Sequence, residues 1–362
     1  MAVDPRVEQY ARLLVERCVD VQPGWQVLVQ SSPLARPLVD EVVRHIARRG
    51  AYPELRMQFS QWSFPVDPVW VEEAPVEAVA QLPSIERETL LGCDARIVIN
   101  APENTREGSS ISPEKMTALR EALAEHSRRT ISLTYPWVGC QFPVAALAQD
   151  AGLTLHQFED FVYGACLVDW DELARTMEPI ARRFDAAEEV RLVGDGTDLR
   201  FSLAGREGRI DDGKVNMPGG EVFYSPVEDS VEGVVTFAEF PAVHFGREVT
   251  GTRLRFAGGR VVDASAQSGE EFLVSTLDTD EGARRLGEFG IGCNPAITRH
   301  MRNTLYDEKI FGTIHLAVGA GFPFVGGTNV SRIHWDMVKD LRAGGRIECD
   351  GDVVQENGAW KL

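Results

Sequence analysis

Between positions 221 and 336 this chain sets acidic and imidazole side chains inside segments that are otherwise apolar or glycine-rich. They are Glu221 in MPGGEVFYSP, Glu288 in LGEFGIGCNP, Glu308 in LYDEKIFGTIH, His315 in TIHLAVG, and His334 with Asp336 in RIHWDMV. A charge in such surroundings is costly unless something pairs with it. Carboxylates and imidazoles are hard oxygen and nitrogen donors, a set that suits zinc, manganese, cobalt or iron better than a thiolate-seeking ion. His334 and Asp336 stand two residues apart, and on a strand that spacing turns both side chains to one face, as two ligands of one metal require. Taken singly, each signal has an ordinary alternative. A His-x-Asp pair arises by chance in many proteins, and His315 by itself reads first as a satisfied core histidine.

The elements that must position these residues change character along the chain. In the first half, short apolar runs alternate with amphipathic helical patterns, which predicts a parallel sheet covered by helices. QVLVQSS (26–32) reads as a strand, PLVDEVVRHIARRG (37–50) as a helix ending at Gly50, and YPELRMQFS as the next strand. ARIVINA (95–101), SPEKMTALREALAEHSRR (112–129) and TISLTYP (130–136) repeat strand, helix, strand. The topology is Rossmann-like, but no Gly-x-Gly-x-x-Gly follows the first strand, so no nucleotide site is inferred. A helix over about 170–187 closes this half, and the texture then turns to strands and tight turns. EEVRLVGDGTDLRFSLAG and GTRLRFAGGRVVDASA both read as hairpins. Further on, 280–290 and a segment near 295–305 read as helices and TIHLAVGAGF (313–322) as a buried strand. The expected fold is therefore α/β: an N-terminal Rossmann-like parallel-sheet domain over 1–187, and a mainly antiparallel, β-rich (α+β) domain over 188–362 that carries the metal-binding, catalytic residues.

Composition narrows the partners. Lys and Arg number 37 against 55 Asp and Glu, a formal net charge of −18 over 362 residues, so a phosphate backbone would be repelled and nucleic acid is not expected. No segment approaches the roughly 20 apolar residues that span a bilayer, so no membrane is expected. The charged opening MAVDPRVEQYARLLVERCVDV lacks the apolar stretch of a signal peptide. Cys18, Cys93, Cys140, Cys166, Cys293 and Cys349 are scattered singly, with neither a disulfide framework nor a Cys-x-x-Cys spacing, which fits a reducing cytoplasm.

Several long blocks, in order, resemble the aminopeptidase T and aminopeptidase S family of dinuclear metallo-aminopeptidases. They are the DPRVEQYARLLVERCVDVQPGWQVLVQ opening, the segment around Glu221, EFGIGCNPAITRHMRNTLYDEKIFGTIHLAVG, and GGTNVSRIHWDMVKDLR. The last matches the family's Asn-x-Ser-x-(Val/Ile)-His-x-Asp arrangement through Asn329, Ser331, Ile333, His334 and Asp336. The resemblance implies that Glu221, Glu288, Glu308, His315, His334 and Asp336 are metal-site positions holding two divalent ions (zinc, cobalt or manganese). It implies Glu288 as the bridging ligand and Glu308 as a ligand or proton shuttle, with a peptide bearing a free N-terminus as substrate and a homodimer as the assembly. Two cations about 3.5–4 Å apart, bridged by a carboxylate and a water, bring that water's pKa towards ~7. One departure stands out. Seven residues after its histidine the family carries a tyrosine, and here HLAVGAGF places Phe322 there, which removes a hydroxyl. Tyr306 beside Asp307 and Glu308 is a substitute donor or a structural ring.

Two other readings compete. The 2,5-dihydroxypyridine dioxygenases look like this scaffold with a reduced iron(II) set, here Glu288, His334 and Asp336, which leaves Glu221, Glu308 and His315 without a purpose. A non-catalytic peptide-binding relative is the other, motivated by Phe322 and by Val330 and Arg332 near the last pair.

Overall fold

Helix Arg36–Arg48 shows how the first half is built. Leu38, Val39, Val42, His45 and Ile46 recur at helical spacing and are buried, and Gly50 just past its end takes a φ of 73°, a left-handed conformation that glycine adopts without strain. The computed structural model describes residues 4–62, 64–244 and 246–362. They divide into two compact units. One runs up to Leu167 and includes Gly213–Pro218; the other comprises Val168–Asp212 and Gly219–Leu362. Helix Trp170–Asp185 thus counts with the second unit.

In the first unit the strands run in the spatial order Tyr52–Met57, Gln26–Ser31, Ala95–Asn100, Trp137–Gln141 and Asn216–Met217, all parallel. The fourth strand departs from the sequence reading. Residues 130–136 finish helix Ala124–Ile131 and turn, and the strand begins at Trp137. The 130–136 run looks like a strand because of Thr130, Ile131 and Thr134, yet Ile131 is exposed and the run offers no alternating buried face. Val138 and Cys140 supply one.

The second unit holds an antiparallel sheet built on the two expected hairpins, Glu189–Gly194 with Thr197–Ser202 and Thr252–Ala257 with Arg260–Ser265. It also holds the sheet that matters for chemistry. That sheet runs His334–Lys339, Ile314–Gly319, Leu286–Gly292, Glu221–Tyr224, Arg209–Asp211, each strand antiparallel to the next. Its two faces differ. Phe289, Ile291, Leu316, Val318, Trp335 and Met337 alternate onto one face and are buried, with Phe289 against Phe184 and Phe201 at ring separations of 5.7 and 5.0 Å. The opposite face carries the polar residues taken up below.

Two helices read from the sequence are corrected here. Segment 280–290 is a short 3-10 turn, Glu281–Arg284, followed by strand Leu286–Gly292, all seven of whose residues are buried. The strand's alternation is carried by Phe289 and Ile291 alone, too short a pattern to mark it, and Leu286 and Phe289 stand at a spacing that also suits a helix. Near 295–305 only Thr304–Asp307 is helical.

Candidate metal centre

Strand register brings the polar residues together. Gly292 faces Glu221, Gly290 faces His315, and Glu288, Ala317 and Asp336 form one row across three strands, with His334 two residues from Asp336. Since alternate residues share a face, Glu221, Glu288, His315, His334 and Asp336 all project from the same side of the sheet. Glycine and alanine between them leave the room: a Cβ at Gly290 would lie 1.9–2.0 Å from the His315 ring. Glu308 reaches the same place from the end of helix Thr304–Asp307.

The atoms that could hold a metal ion fall into two groups, Glu221–Glu308–His315 and Glu288–His334–Asp336, each within 4.8 Å. Glu288 joins them, one oxygen to each side: Oε1 lies 3.4 Å from His315 Nε2 and Oε2 lies 2.9 Å from His334 Nε2. His315 Nε2 is also 3.6 Å from Glu221 Oε2, and His334 Nε2 is 3.5 Å from Asp336 Oδ1. Each imidazole donates its other nitrogen to a backbone carbonyl, His315 Nδ1 to Glu308 O at 3.0 Å and His334 Nδ1 to Ala320 O at 2.9 Å. Because a carbonyl only accepts, the Nδ1 atoms carry hydrogen and both Nε2 atoms are aimed at the carboxylates, as in histidine ligands of metals.

The electrostatics follow from this crowding. Burial works against charge on His315, but its hydrogen bond to Glu288 and the charges of Glu288, Glu221 and Asp336 push its pKa up to about 10. His334 is likewise raised well above its ordinary value, against burial, by Asp336 and Glu288. In return Asp336 is held at about 2 despite burial, chiefly by His334, and Glu288 lies below the usual carboxylate range, against burial, through both histidines. Glu221 and Glu308 go the other way: burial raises both, with Lys309 opposing.

The residues fit a divalent cation. Glu221 Oε2 and Asp336 Oδ1 are buried without a hydrogen-bond partner among the described residues, and several buried carboxylates in one place each carry a desolvation cost of several kcal/mol that needs a cation to offset it. The donors are oxygen and imidazole nitrogen, with no thiolate. Cys293 is buried, and burial followed by the charge of Glu221 raises its thiol pKa far above the ordinary range. A small cavity lined by His300, Thr304, Asp307, Glu308 and Asp336 opens beside the cluster.

Other residues singled out from the sequence have structural partners. Asn329 donates to the carbonyls of Gly282 (2.9 Å) and Gly319 (2.6 Å), and Ser331 donates to Asp280 at 2.8 Å, so the Asn-x-Ser pair braces the loop that delivers His334. Val330 is 86% exposed and Arg332 turns to Thr279 and Asp280. Tyr306 is fully buried. Phe322 packs 5.0 Å from the His334 ring, beside Phe223 and Phe324.

Sequence reasoning passes over Lys309. Its side chain is fully buried, touches Glu308, and lies 3.4 Å from Glu221 Oε1. The available signal was its place between Glu308 and Ile310, inside a segment already marked as holding a buried charge. Asp307 is missed too. Burial moves its pKa up to about 7, against backbone N–H donors at Met301 (2.5 Å) and Asn303 (2.6 Å), and His300 Nε2 lies 3.1 Å away.

The sequence model of the thermophilic metalloprotease (M29) family matches residues 3–360. Aminopeptidase AmpS of Bacillus subtilis (strain 168) is 27% identical, the alignment covering 98% of each chain. Among solved structures, wild-type AmpT from Thermus thermophilus superposes with a TM-score of 0.83 at 24% identity over the whole of both chains. The 2,5-dihydroxypyridine dioxygenase of Pseudomonas putida KT2440 shares the fold, with a TM-score of 0.64 at 14% identity over 98% of this chain and 96% of that one.

Proposed function

The chain belongs to the thermophilic metalloprotease (M29) family and is a metal-dependent aminopeptidase, and from that premise we propose that it removes N-terminal residues from peptides at a centre for two divalent ions. Glu221, Glu308 and His315 would hold one ion and Glu288, His334 and Asp336 the other, with Glu288 lying between the two groups. The observation that carries this reading is that one face of one sheet directs both imidazole Nε2 atoms at opposite oxygens of the same carboxylate. Zinc, cobalt and manganese all suit this donor set.

When bound, such ions supply Lewis acidity, polarising a carbonyl and making hydroxide available near neutral pH. The chain's own residues do the rest. Hydrogen bonds to Glu308 O and Ala320 O keep the imidazoles oriented. The acidic lining of the adjoining cavity, Asp307, Glu308 and Asp336, suits a positively charged amino terminus. Glu308, which also lines that cavity, is the carboxylate we assign as a ligand or as the shuttle that takes a proton from the attacking water and returns it to the leaving amine. Phe322 contributes packing beside His334 but no hydroxyl.

The likeness to the dioxygenase shows fold alone, and an iron site of Glu288, His334 and Asp336 would leave Glu221, Glu308 and His315 gathered for no purpose. A reducing cytoplasm accords with six buried cysteines that form no disulfide, and we infer a homodimer from the family resemblance. No helix among the described residues is long and apolar enough to cross a membrane.

The deciding experiment compares free and N-acetylated peptides under defined metal. Release of the N-terminal residue is expected with cobalt, zinc or manganese, is lost with a chelator, and is absent from the acetylated peptide. Equal cleavage of blocked and free peptides would move the assignment to an endopeptidase or amidase, and oxygen uptake on dihydroxypyridines without peptide hydrolysis would move it to the dioxygenases.

A further inference from the structure

Lys309 is fully buried, and its backbone is pinned: its N–H donates to Tyr306 O at 3.0 Å and its carbonyl accepts from Asn294 N–H at 3.1 Å. The ammonium is enclosed with the rest of the side chain, which is fully buried. It touches the Glu308 carboxylate, lies 3.4 Å from Glu221 Oε1, and has Asp211 as a third acidic neighbour, opposite Glu221 in strand register. A lysine ammonium is ordinarily cationic at neutral pH, and this one is enclosed with three acidic side chains around it. The distribution is uneven. Among the described residues the Lys309 ammonium makes its ion pairs with the Glu221–Glu308–His315 group, while Glu288 and Asp336 pair with imidazoles that are themselves ligands and Asp336 feels the Lys309 charge only from farther off.

An ammonium bound to a carboxylate does two opposite things to a metal site. It supplies the counter-charge that lets the carboxylates stay buried without an ion, and it repels a dication arriving at the same oxygens. We propose that Lys309 is an internal counter-cation for one half of the centre: it keeps the Glu221–Glu308–His315 half folded before an ion binds, and it lowers the affinity of that half more than that of the other. This rests on the two-ion reading above.

The test titrates the chelator-stripped full-length chain, wild type and Lys309→Met, with cobalt(II) by calorimetry, alongside thermal unfolding with and without cobalt(II). Two ions per chain are expected in both. In the variant one binding step should tighten by roughly tenfold or more, since a repelling unit charge within a few ångströms is removed, and the other, farther from that charge, should tighten by clearly less. The ion-free variant should melt roughly 5 °C or more below wild type, and should gain more from cobalt(II), because buried carboxylates have lost their counter-charge. A weakened step, equal movement of both steps, or an ion-free variant that melts with wild type overturns the role. If the Met variant does not fold without cobalt(II), refolding it and Lys309→Gln with the ion present decides: folding that depends on cobalt(II) supports the role, and failure in its presence overturns it. One ion per chain in the wild type would sink the two-ion reading and this role with it, and that result is visible before any substitution is made.

Discussion

Phe322 is the residue whose chemistry departs furthest from what its neighbours imply. Its ring lies 5.0 Å from that of His334 and it is only partly buried. Phe322→Tyr adds a single oxygen and should return a hydroxyl beside His334 with little repacking. The gain belongs in kcat, because an oxyanion donor acts on charge that develops in the transition state. A rise of about tenfold corresponds to about 1.4 kcal/mol. The measurement is kcat and KM on a leucyl dipeptide at equal metal content. A folded, metal-loaded variant with unchanged kcat would mean that the hydroxyl plays no part here. Lys309 shows the opposite situation: an ordinary-looking lysine whose importance comes wholly from what surrounds it.

Strand Leu286–Gly292 is the element on which the centre turns, since it supplies Glu288 and keeps Gly290 beneath the His315 ring. A methyl group at Gly290 cannot coexist with that ring, which it would meet at 1.9–2.0 Å, whereas at Gly258, in an open hairpin turn, it would meet nothing within 4 Å. Gly290→Ala should displace His315, reduce bound metal by about one ion per chain, lower kcat by roughly a hundredfold, and cost about 1–3 kcal/mol from overpacking. Gly258→Ala, strained only by its φ of 56°, should cost about 1 kcal/mol and leave metal and kcat untouched. Metal analysis and urea unfolding of the pair read both effects. A Gly290→Ala protein with full metal and wild-type kcat would show that the His315 ring has another place to go.

For the whole molecule, acid sensitivity is written into the first unit as well as the second. His126 is buried, and its Nε2 lies 2.8 Å from Arg96 Nη1, a group that can only donate, so the ring is held neutral. Burial first, then the charges of Arg96 and Arg129, lowers its pKa to about 4 from an ordinary 6.5. Between those values the unfolded chain takes up a proton that the folded chain refuses. The contribution is therefore fully present above pH 6.5 and is lost as pH falls towards 4. The loss is on the order of 2–3 kcal/mol. Denaturant midpoints of wild type and His126→Gln from pH 7.5 to 4.5 should diverge in this window, the wild type falling more steeply. Parallel slopes would mean that another group governs the acid limb.

Much about this protein is local and so already present in its sequence: which side chains can bind a metal, the two-residue step that puts His334 and Asp336 on one face, and the helical spacing that buries Leu38, Val42 and Ile46. Such features need only the geometry of one element. The helix expected over 280–290 failed because Phe289 and Ile291 alone carry the strand's alternation, while Leu286 and Phe289 also fit a helical spacing. What only the tertiary structure decided is register and enclosure. Gly292 opposite Glu221, Gly290 opposite His315 and Ala317 between Glu288 and Asp336 are pairings between distant segments, chosen by how whole strands pack. Lys309 becomes a buried cation only when Glu221, from almost ninety positions earlier, arrives beside it. Charge interactions depend on separation in space and on the exclusion of water, and neither quantity is carried by the order of residues along the chain.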